Sequence, residues 1–489
     1  MRRHRRNHLT NSGVPPTAVK LLVAALLIAA FLIRLAYVQN TYYKAKNDAG
    51  TYNRMASNVA QYGDYHTGSG PHKGAGGSRG PTAYFPPAFP YSLAVVDLID
   101  GHQAGGKTAI PSERIAQAVV GTISVGLLGL VALELFGGSV AVAAIAIAAV
   151  YPVFVELSGT LVAENLLLVF ELASIWTALR ARRARRLAGT YAWIAATGIL
   201  TGLAALTHEN AALFVLPLGV AAWSVVRARA AAGSAVPRRP ALRALTAPAL
   251  LVACACATIA PWTIRNAVEL HHFVPVSDET GITLIGTYNA TSAAAEPLHY
   301  KWDLYLKMPE FKPLAKSASR YDEVGLSSVL QSRALDYIRA HPFSPLDVGF
   351  HNTLRMFELE GSFAWHASYD AIGLPARAAG IGVVSFWVLL ALAIAGLFTT
   401  VRREAPRWLW AFPVLYWLSI TFVNVETPRF REPIDPFFVL LAACAVATAA
   451  GRARAVFSGL RGAPVRRGRG PSELSGDHAE LVQVVKRLA

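Results

Sequence analysis

Long apolar stretches separated by short polar segments dominate the chain. Ten of them come close to or exceed the roughly 20 residues that an α-helix needs to cross about 30 Å of hydrocarbon. The pattern predicts an all-α polytopic membrane protein with about ten transmembrane helices, in a range of nine to twelve. The predicted spans cover residues 20–39, 113–135, 139–157, 161–179, 189–207, 210–226, 244–263, 378–400, 408–424 and 434–450.

Two long segments between the spans are more polar, residues 40–112 and 264–377. Within the first, residues 88–100 are apolar but too short to span, which favours a helix lying at the membrane surface. Residues 51–62 have their apolar positions on one helical face, which predicts a second interfacial helix. That stripe consists of Tyr52, Met55, Ala56 and Val59.

The charge distribution predicts the orientation. Lys and Arg total 46 against 30 Asp and Glu, a net charge of +16, while charged residues make up only 16% of the chain. The basic residues gather at the N-terminus and after the fourth, sixth, eighth and tenth predicted spans, which ten crossings place on one side. Because basic residues flank spans on the cytoplasmic side, both termini are expected there. The topology thereby explains the surplus of basic residues, and no nucleic-acid partner is predicted.

The predicted protein is therefore a multi-pass protein of the cytoplasmic (inner) membrane, with cytoplasmic N- and C-termini. The predicted order is a basic N-terminus 1–19, a first span 20–39, a first extracytoplasmic loop 40–112 with interfacial helices, spans two to seven within 113–263, a large extracytoplasmic loop 264–377, spans eight to ten within 378–450 and a cytoplasmic tail 451–489.

Sequence motifs for soluble cofactors are weak. Residues 101–108 match the phosphate-loop pattern G-x-x-x-x-G-K-[ST], but no buried strand precedes them and Pro111 follows closely. The mechanism of that loop needs a strand before it and a helix after it, so the match is attributed to chance. The three cysteines have no metal-ligand spacing, and no metal site is predicted. They are Cys254, Cys256 and Cys444.

Several ionisable residues lie where predicted spans meet the outer surface. Asp48 opens the first outer loop, Glu164 lies at the outer end of span four, and His208 and Glu209 join spans five and six. Such groups are costly near hydrocarbon unless paired or hydrated, so they are candidates for function. Asp48 is placed to act as a general base, or else Asn47 or Asp48 caps the following helix, 51–62. Glu164 and His208 form either a metal-binding pair or a hydrogen-bonded structural pair.

Three arginines are predicted on the outer side, although most basic residues flank the cytoplasmic ends of the spans. Arg265 follows span seven, and Arg429 and Arg431 lie between spans nine and ten. A planar guanidinium suits a phosphate group bidentately. The alternative is that they form ion pairs with Glu426 or Glu432, or bind lipid headgroups. Acids and arginines at one depth below two large loops indicate chemistry on a phosphorylated, membrane-dissolved substrate.

A series of short motifs, in order along the chain, resembles the bacterial polytopic glycosyltransferases of the GT-C superfamily. The motifs are similar to those of the dolichyl-phosphate-mannose–protein mannosyltransferases and the lipid A aminoarabinose transferase. The resemblance extends from about residue 20 to 450. It rests on residues 34–35, 47–52, 84–91, 112–117, 161–165, 202–210, 261–266 and 429–433.

The resemblance implies transfer of a sugar from a polyprenyl-phosphate carrier to an acceptor hydroxyl of a protein, lipid or envelope glycan at the outer membrane face. It implies that Asp48 is the catalytic base and that Arg265 binds the carrier phosphate, with Arg429 and Arg431 as further candidates. Lining of the cavity is assigned to Glu164, His208, Glu209, Asn266 and Tyr84. No cofactor is firmly predicted, and a divalent metal stays open because family members differ in metal dependence.

Two other classes of function are weighed against this one. A transporter or flippase of lipid-linked sugars would carry ionisable groups near mid-bilayer and pseudo-repeated broken helices, whereas here the groups gather at one face and no repeat is visible. A non-catalytic envelope-assembly protein would keep the fold without the chemistry.

Overall fold

The computed structural model describes residues 16–69, 80–101, 110–232, 242 and 244–462. The phosphate-loop-like match lies almost wholly outside the described residues, as do the arginines before residue 16 and those after residue 462. The chain divides into two compact units, residues 1–446 and 447–489, and the second is helical where it is described.

Every regular element within these ranges is a helix, which confirms the all-α prediction. The α-helices are α1 Pro16–Asn40, α2 Asn47–Tyr62, α3 Ala88–Asp100, α4 Ile110–Phe136, α5 Gly138–Val150, α6 Pro152–Leu157, α7 Glu164–Arg183, α8 Leu187–Thr207, α9 Val215–Ala232, α10 Thr246–Leu270, α11 Thr280–Thr287, α12 Ala290–Ala293, α13 Lys312–Ser317, α14 Glu323–Ala340, α15 Ser344–Met356, α16 Ser362–Ala371, α17 Ala376–Leu397, α18 Ala411–Thr421 and α19 Asp435–Gly462. Short 3₁₀ turns join them at Glu209–Phe214, Tyr305–Lys307, Pro309–Phe311, Ala318–Arg320, Val401–Glu404, Arg407–Trp410 and Arg429–Arg431.

Seven helices in the described part of the chain are long and apolar enough to cross a membrane. They correspond to seven of the ten predicted spans, and the chain is a multi-pass membrane protein. The exact number of crossings stays a prediction. The seven are Thr17–Asn40, Ile110–Phe136, Leu187–Thr207, Glu209–Ala231, Thr246–Leu270, Ala376–Leu397 and Asp435–Ala455.

The other three predicted spans differ from simple membrane helices for local reasons. The predicted span 139–157 is broken between α5 and α6, because Pro152 cannot donate to the helix before it. Helix α7 has an acid at its first residue and another two turns later, and three arginines in its last turn. Helix α18 is only 11 residues long and is extended by the 3₁₀ turn before it.

The break after α5 is stabilised by Arg34 of α1, which is almost wholly buried. Its guanidinium donates to the carbonyl oxygens of Ala148 and Ala149, at 3.1 and 3.2 Å, and to the hydroxyl of Ser158 at 3.2 Å. The last carbonyls of a helix have no partner within it, so these bonds satisfy groups that would otherwise be orphaned in an apolar setting.

Both predicted interfacial segments of the first polar loop are helical. Helix α2 begins earlier than expected, at Asn47, and α3 has the expected bounds. The two helices pack through a cluster in which the Tyr52 ring contacts Phe85 and Phe89 at centroid distances of 4.5 and 5.0 Å. This cluster fixes the first turn of α2, which carries Asp48.

The second polar segment has a core of its own between α11, α14 and α15. Ile285, Tyr288, Leu330, Ala334 and Val348 are buried together there. Helices α16 and α17 form a hairpin that returns the chain to the membrane. The second polar segment is thus folded around a hydrophobic core of its own.

Candidate functional site

The centre of the candidate site is Arg429, in the short 3₁₀ turn before α19. Its Nη1 donates to Asp48 Oδ2 at 2.8 Å, and its Nε donates to Glu164 Oε1 at 2.9 Å. The Glu164 side chain is 1% exposed and that of Arg429 10%, whereas Asp48 keeps 35% of its side chain exposed. Arg429 therefore joins three distant parts of the chain, and Asp48 is the member that solvent or a ligand can reach.

The backbone around Asp48 is fixed at both ends of its turn. Asn47 has a positive φ of 46°, and its side-chain amide donates to the carbonyl oxygen of Ala371 at 2.9 Å. Lys46 forms an ion pair with Asp370 at 2.6 Å. Helix α2 has no side-chain cap, so the alternative in which Asn47 or Asp48 caps it does not describe this structure.

Glu164 is the first residue of α7, where the helix dipole stabilises a negative charge. Its partner is Arg429, and the expected hydrogen-bonded pair with His208 does not form. The imidazole of His208 instead lies against the rings of Tyr416 and Phe430, at centroid distances of 6.3 and 6.2 Å. No three His, Cys, Asp or Glu side chains in the described ranges are grouped so that they could hold a metal ion.

Further charged residues surround this centre. Glu279, at the start of α11, interacts electrostatically with Glu209, Asp48, Arg429 and Glu164. Burial, together with the charges of Glu209 and Asp48, holds the pKa of Glu279 well above its usual range. A carboxyl group with this pKa stays neutral at pH values where an ordinary glutamate is ionised.

Glu426 and Lys301 form a second ion pair next to the centre, at 3.3 Å. Burial opposes ionisation of Glu426, but Lys301 and then Arg429 outweigh it and lower its pKa. The site thus contains two cations, Arg429 in the turn before α19 and Lys301 in the second polar segment.

Arg265 lies at the end of α10 and holds the first polar loop. It donates to the carbonyl oxygens of Thr82 at 2.7 Å and Tyr65 at 3.4 Å, and its guanidinium lies over the Trp262 ring at 4.9 Å. The neighbouring Asn266 is buried and donates to the carbonyl oxygen of Val274 at 3.0 Å.

Tyr84 interacts electrostatically with acids near the Asp48–Arg429 pair and with an acid near Arg265. Its phenol interacts with Glu279, Asp48 and Glu323, and burial raises its pKa well above the usual range. Glu323 accepts hydrogen bonds from Thr82 at 2.5 Å and from the backbone of Ala83 at 2.7 Å. Tyr84 therefore lies between the Asp48 centre and the Arg265 region.

Arg431 belongs to a different cluster, although it is two residues from Arg429. Its side chain is fully buried and pairs with Glu358 at 2.6 Å and Asp435 at 3.2 Å. Two carboxylates neutralise it, and Asp435 also accepts from the Tyr151 hydroxyl at 2.9 Å. We therefore assign Arg431 a structural role in the protein interior and do not retain it as a phosphate ligand.

The sequence singled out the acids and arginines but missed three contributors, Glu279, Lys301 and Glu323. They lie in the large polar segment, where charged residues are common, and no local pattern distinguishes them. Their importance comes from tertiary position alone.

Comparisons with known proteins support the same fold. A profile described as dolichyl-phosphate-mannose-protein mannosyltransferase matches residues 86–262, just over a third of the chain. No curated protein sequence matches the chain significantly. The oligosaccharyltransferase AglB from Archaeoglobus fulgidus, solved with an inhibitory peptide and a dolichol-phosphate, is similar at 15% identity over 96% of this chain and 54% of that one, with a TM-score of 0.51.

The chain has the fold of the GT-C glycosyltransferases. This confirms the resemblance seen in the motifs. The chain spans only about half the length of AglB.

Two further solved structures are more distantly similar. ArnT from Cupriavidus metallidurans, bound to undecaprenyl phosphate, is 15% identical over 90% of this chain and 80% of that one, with a TM-score of 0.42. The Pmt1–Pmt2 protein O-mannosyltransferase complex of S. cerevisiae, bound to its sugar donor, is 18% identical over 55% of this chain and 36% of that one, with a TM-score of 0.41. The fold assignment does not depend on either.

Proposed function

We propose that the protein transfers a sugar from a polyprenyl-phosphate carrier to an acceptor hydroxyl at the outer face of the cytoplasmic membrane. The observation that carries the proposal is the contact between Asp48 and Arg429, in which a reachable carboxylate lies beside a buried guanidinium. A base and a phosphate-binding cation at one point are the two groups that such a displacement needs. The dolichol-phosphate held by AglB, which has the same fold, supports a carrier of this chemistry.

In the proposed reaction the acceptor oxygen attacks the anomeric carbon while the bond from that carbon to the phosphate oxygen breaks. Asp48 takes the proton of the acceptor hydroxyl. The charge left on the departing polyprenyl phosphate is stabilised by Arg429, which lies next to the base, and by Arg265, which the first loop holds in place. A donor of this kind is often worth about 3 kcal/mol in the transition state.

The remaining predicted residues line the cavity in this proposal. Glu164 fixes Arg429 by accepting from its Nε, and a different nitrogen of the guanidinium, Nη1, donates to Asp48. Glu209, His208, Asn266 and Tyr84 complete the wall, and Glu279 and Lys301 join them. The carrier's chain would lie in the bilayer, which accounts for a transferase built into the membrane.

A transporter of lipid-linked sugars is the second candidate, and one observation favours it. Glu171 lies two turns inside α7 and is wholly buried, and neither carboxylate oxygen has a hydrogen-bond partner in the described structure. Ionisable groups within the hydrocarbon often mark transport pathways.

Purified protein in liposomes, supplied with a radiolabelled polyprenyl-phosphate hexose, separates the two. We expect release or transfer of labelled sugar that is lost in Asp48→Asn and retained in Asp336→Asn, a matched change at an exposed ion pair. Equal turnover in both variants would remove Asp48 from the mechanism. Movement of intact labelled lipid between leaflets without sugar release, sensitive to Glu171→Gln, would favour transport.

A further inference from the structure

A run of large apolar side chains is exposed on α15, on α16 and on the segment 357–361 that joins them. We call this stretch of chain the hairpin and its residues 357–361 the tip. Phe343, Leu346, Phe350, Leu359 and Phe363 are between 61% and 74% exposed. The first three are spaced i, i+3 and i+7, which places them on one face of the helix. We call these five side chains the apolar hairpin face. In water, such a patch would be a strong liability for aggregation.

The tip of this hairpin lies beside the middle of a membrane-spanning helix. The indole nitrogen of Trp387 donates to the carbonyl oxygen of Phe357 at 3.1 Å, and the rings of Trp365 and Trp387 are 5.6 Å apart. Trp387 is 11 residues beyond Ala376, where α17 begins. At 1.5 Å per residue that is about 16 Å along the helix.

Helix α16 runs back along α17 toward its start. The Tyr369 hydroxyl lies over Gly382, whereas Trp365, one turn earlier, meets Trp387. Contacts in this order mean that the two helices are antiparallel and that the chain rises from the hairpin tip toward the residues bound to Asn47. The tip is therefore the deepest part of the second polar segment.

The charged side chains near the tip are neutralised inside the protein. Arg355 and Glu360 form a two-pronged pair at 2.5 and 3.0 Å, and Glu360 also accepts from His351 at 3.0 Å. Glu358 pairs with Arg431 at 2.6 Å. Internal pairing of charges is what a low-dielectric setting requires. The large exposed side chains at the tip and in the first turn of α16 are the apolar Leu359 and Phe363, the small hydroxyl of Ser362 is exposed between them, and His366 is exposed one turn further along α16.

We propose that residues 343–363 are inserted into the membrane leaflet on the side of the candidate site, with the apolar hairpin face against lipid acyl chains. This face continues the lipid-facing surface of α17, where Ile381, Val384 and Val388 are each 57% exposed. Exposed Asp347 lies on the same helical face as Phe343, Leu346 and Phe350, in the first turn of α15, so this end of the face is the one that reaches the headgroups. The segment predicted as an extracytoplasmic loop is thus partly re-entrant, and this inference is independent of the transfer reaction.

Spin labelling tests the insertion directly. Phe350→Cys, Leu359→Cys and Phe363→Cys would each be made in the full chain with Cys254, Cys256 and Cys444 changed to Ala. Each would be nitroxide-labelled and reconstituted in phosphatidylcholine vesicles. Collision rates with oxygen, which dissolves in acyl chains, and with a water-soluble nickel chelate are then compared. Ser328→Cys, at an exposed position of α14, is the matched aqueous control.

We expect at least a several-fold preference for oxygen at the three hairpin positions and the reverse preference at residue 328. Nickel accessibility equal to that of the control would overturn the proposal, because the face would then lie in water. Low accessibility to both reagents would also overturn it, since the face would be covered by a second copy or another protein. Three separate positions keep the test decisive if one variant fails to fold.

Discussion

Asp48 and Arg429 are separated by 381 residues in the chain, yet their side chains meet at 2.8 Å. The contact joins the first turn of α2 to the turn before α19, and Glu164 holds the guanidinium from the other side. The candidate site is therefore defined by one guanidinium held between two carboxylates from distant parts of the chain.

The shape of the Arg429 guanidinium should matter as well as its charge. A guanidinium binds two carboxylates through separate nitrogens, whereas a lysine ammonium is a compact point charge. We expect Arg429→Lys to lower kcat for sugar transfer by about 10²- to 10³-fold, the usual effect of removing one preorganised donor. Single-turnover kinetics with labelled donor measures this. Kinetics unchanged from those of the unaltered protein would show that Arg429 contributes charge alone.

Arg265 should contribute to carrier affinity. A charge-assisted hydrogen bond is worth about 1.5–3 kcal/mol, so Arg265→Ala should weaken binding of a polyprenyl phosphate by about 10- to 100-fold. Equilibrium binding in detergent measures it. Arg265 also holds the carbonyl groups of Thr82 and Tyr65, so thermal unfolding is the control. A lower Tm with unchanged affinity would leave Arg265 only a structural role.

Donor binding should depend on the protonation of Glu279. Its pKa is raised by burial, then by Glu209 and Asp48, so it is neutral below that raised pKa and gains a negative charge as pH rises through it. The new charge repels the anionic phosphate, and KM for the donor should rise with pH. Glu279→Gln is permanently neutral and should lose this rise. A pH profile identical in both proteins would contradict the assignment, with the exposed change Glu310→Gln as control.

The buried pair between Arg431 and Glu358 should be essential for stability. Glu358→Gln leaves a buried guanidinium with one carboxylate fewer, and breaking a buried pair costs about 3–5 kcal/mol. A clear fall in Tm is expected. Arg339→Gln breaks an exposed pair with Asp336 and should change stability by less than about 1 kcal/mol. Equal effects of the two changes would show that the buried pair is dispensable.

Two glycines of α17 should respond in opposite ways to alanine. A Cβ on Gly396 would overlap the backbone carbonyl of Leu441, whereas a Cβ on Gly380 would meet open space. Gly396→Ala should therefore separate α17 from α19 and lower the Tm. Gly380→Ala should leave it unchanged or raise it, since alanine favours a helix by about 1 kcal/mol over glycine. Tolerance of alanine at both positions would argue against this close approach.

Much of the fold could be predicted from the sequence because apolar length is a local property. The spans of α1, α4 and α10 need no tertiary information, and neither does the short helix α3. The extra turn of α2 and the partner that stabilises the break at Pro152 could not be predicted in the same way. The turn is held by the contact of Asn47 with Ala371 and the break by Arg34, and both contacts join distant parts of the chain.

The candidate site was predictable only in part. Asp48, Glu164 and Arg429 stood out because charge at a span end is costly, and the family resemblance implied Arg265 as the main phosphate partner, which stays a prediction. Arg429 and Arg431 look equivalent along the chain. A 3₁₀ turn advances about 120° per residue, so residues two apart face different directions. Arg429 pairs with the partly exposed carboxylate of Asp48, whereas Arg431 is enclosed between two buried acids.

The interruption between α5 and α6 has a consequence for how intramembrane charge is interpreted. Arg34 is a cation inside an apolar helix, yet the structure accounts for it by the carbonyl groups it serves rather than by any ligand. Pro152 ends α5, and Arg34 satisfies the carbonyl groups left without partners there, so the chain can turn within the apolar layer before it reaches Glu164. A permanently charged guanidinium inside an apolar helix can thus have a purely structural task, the stabilisation of a helix break.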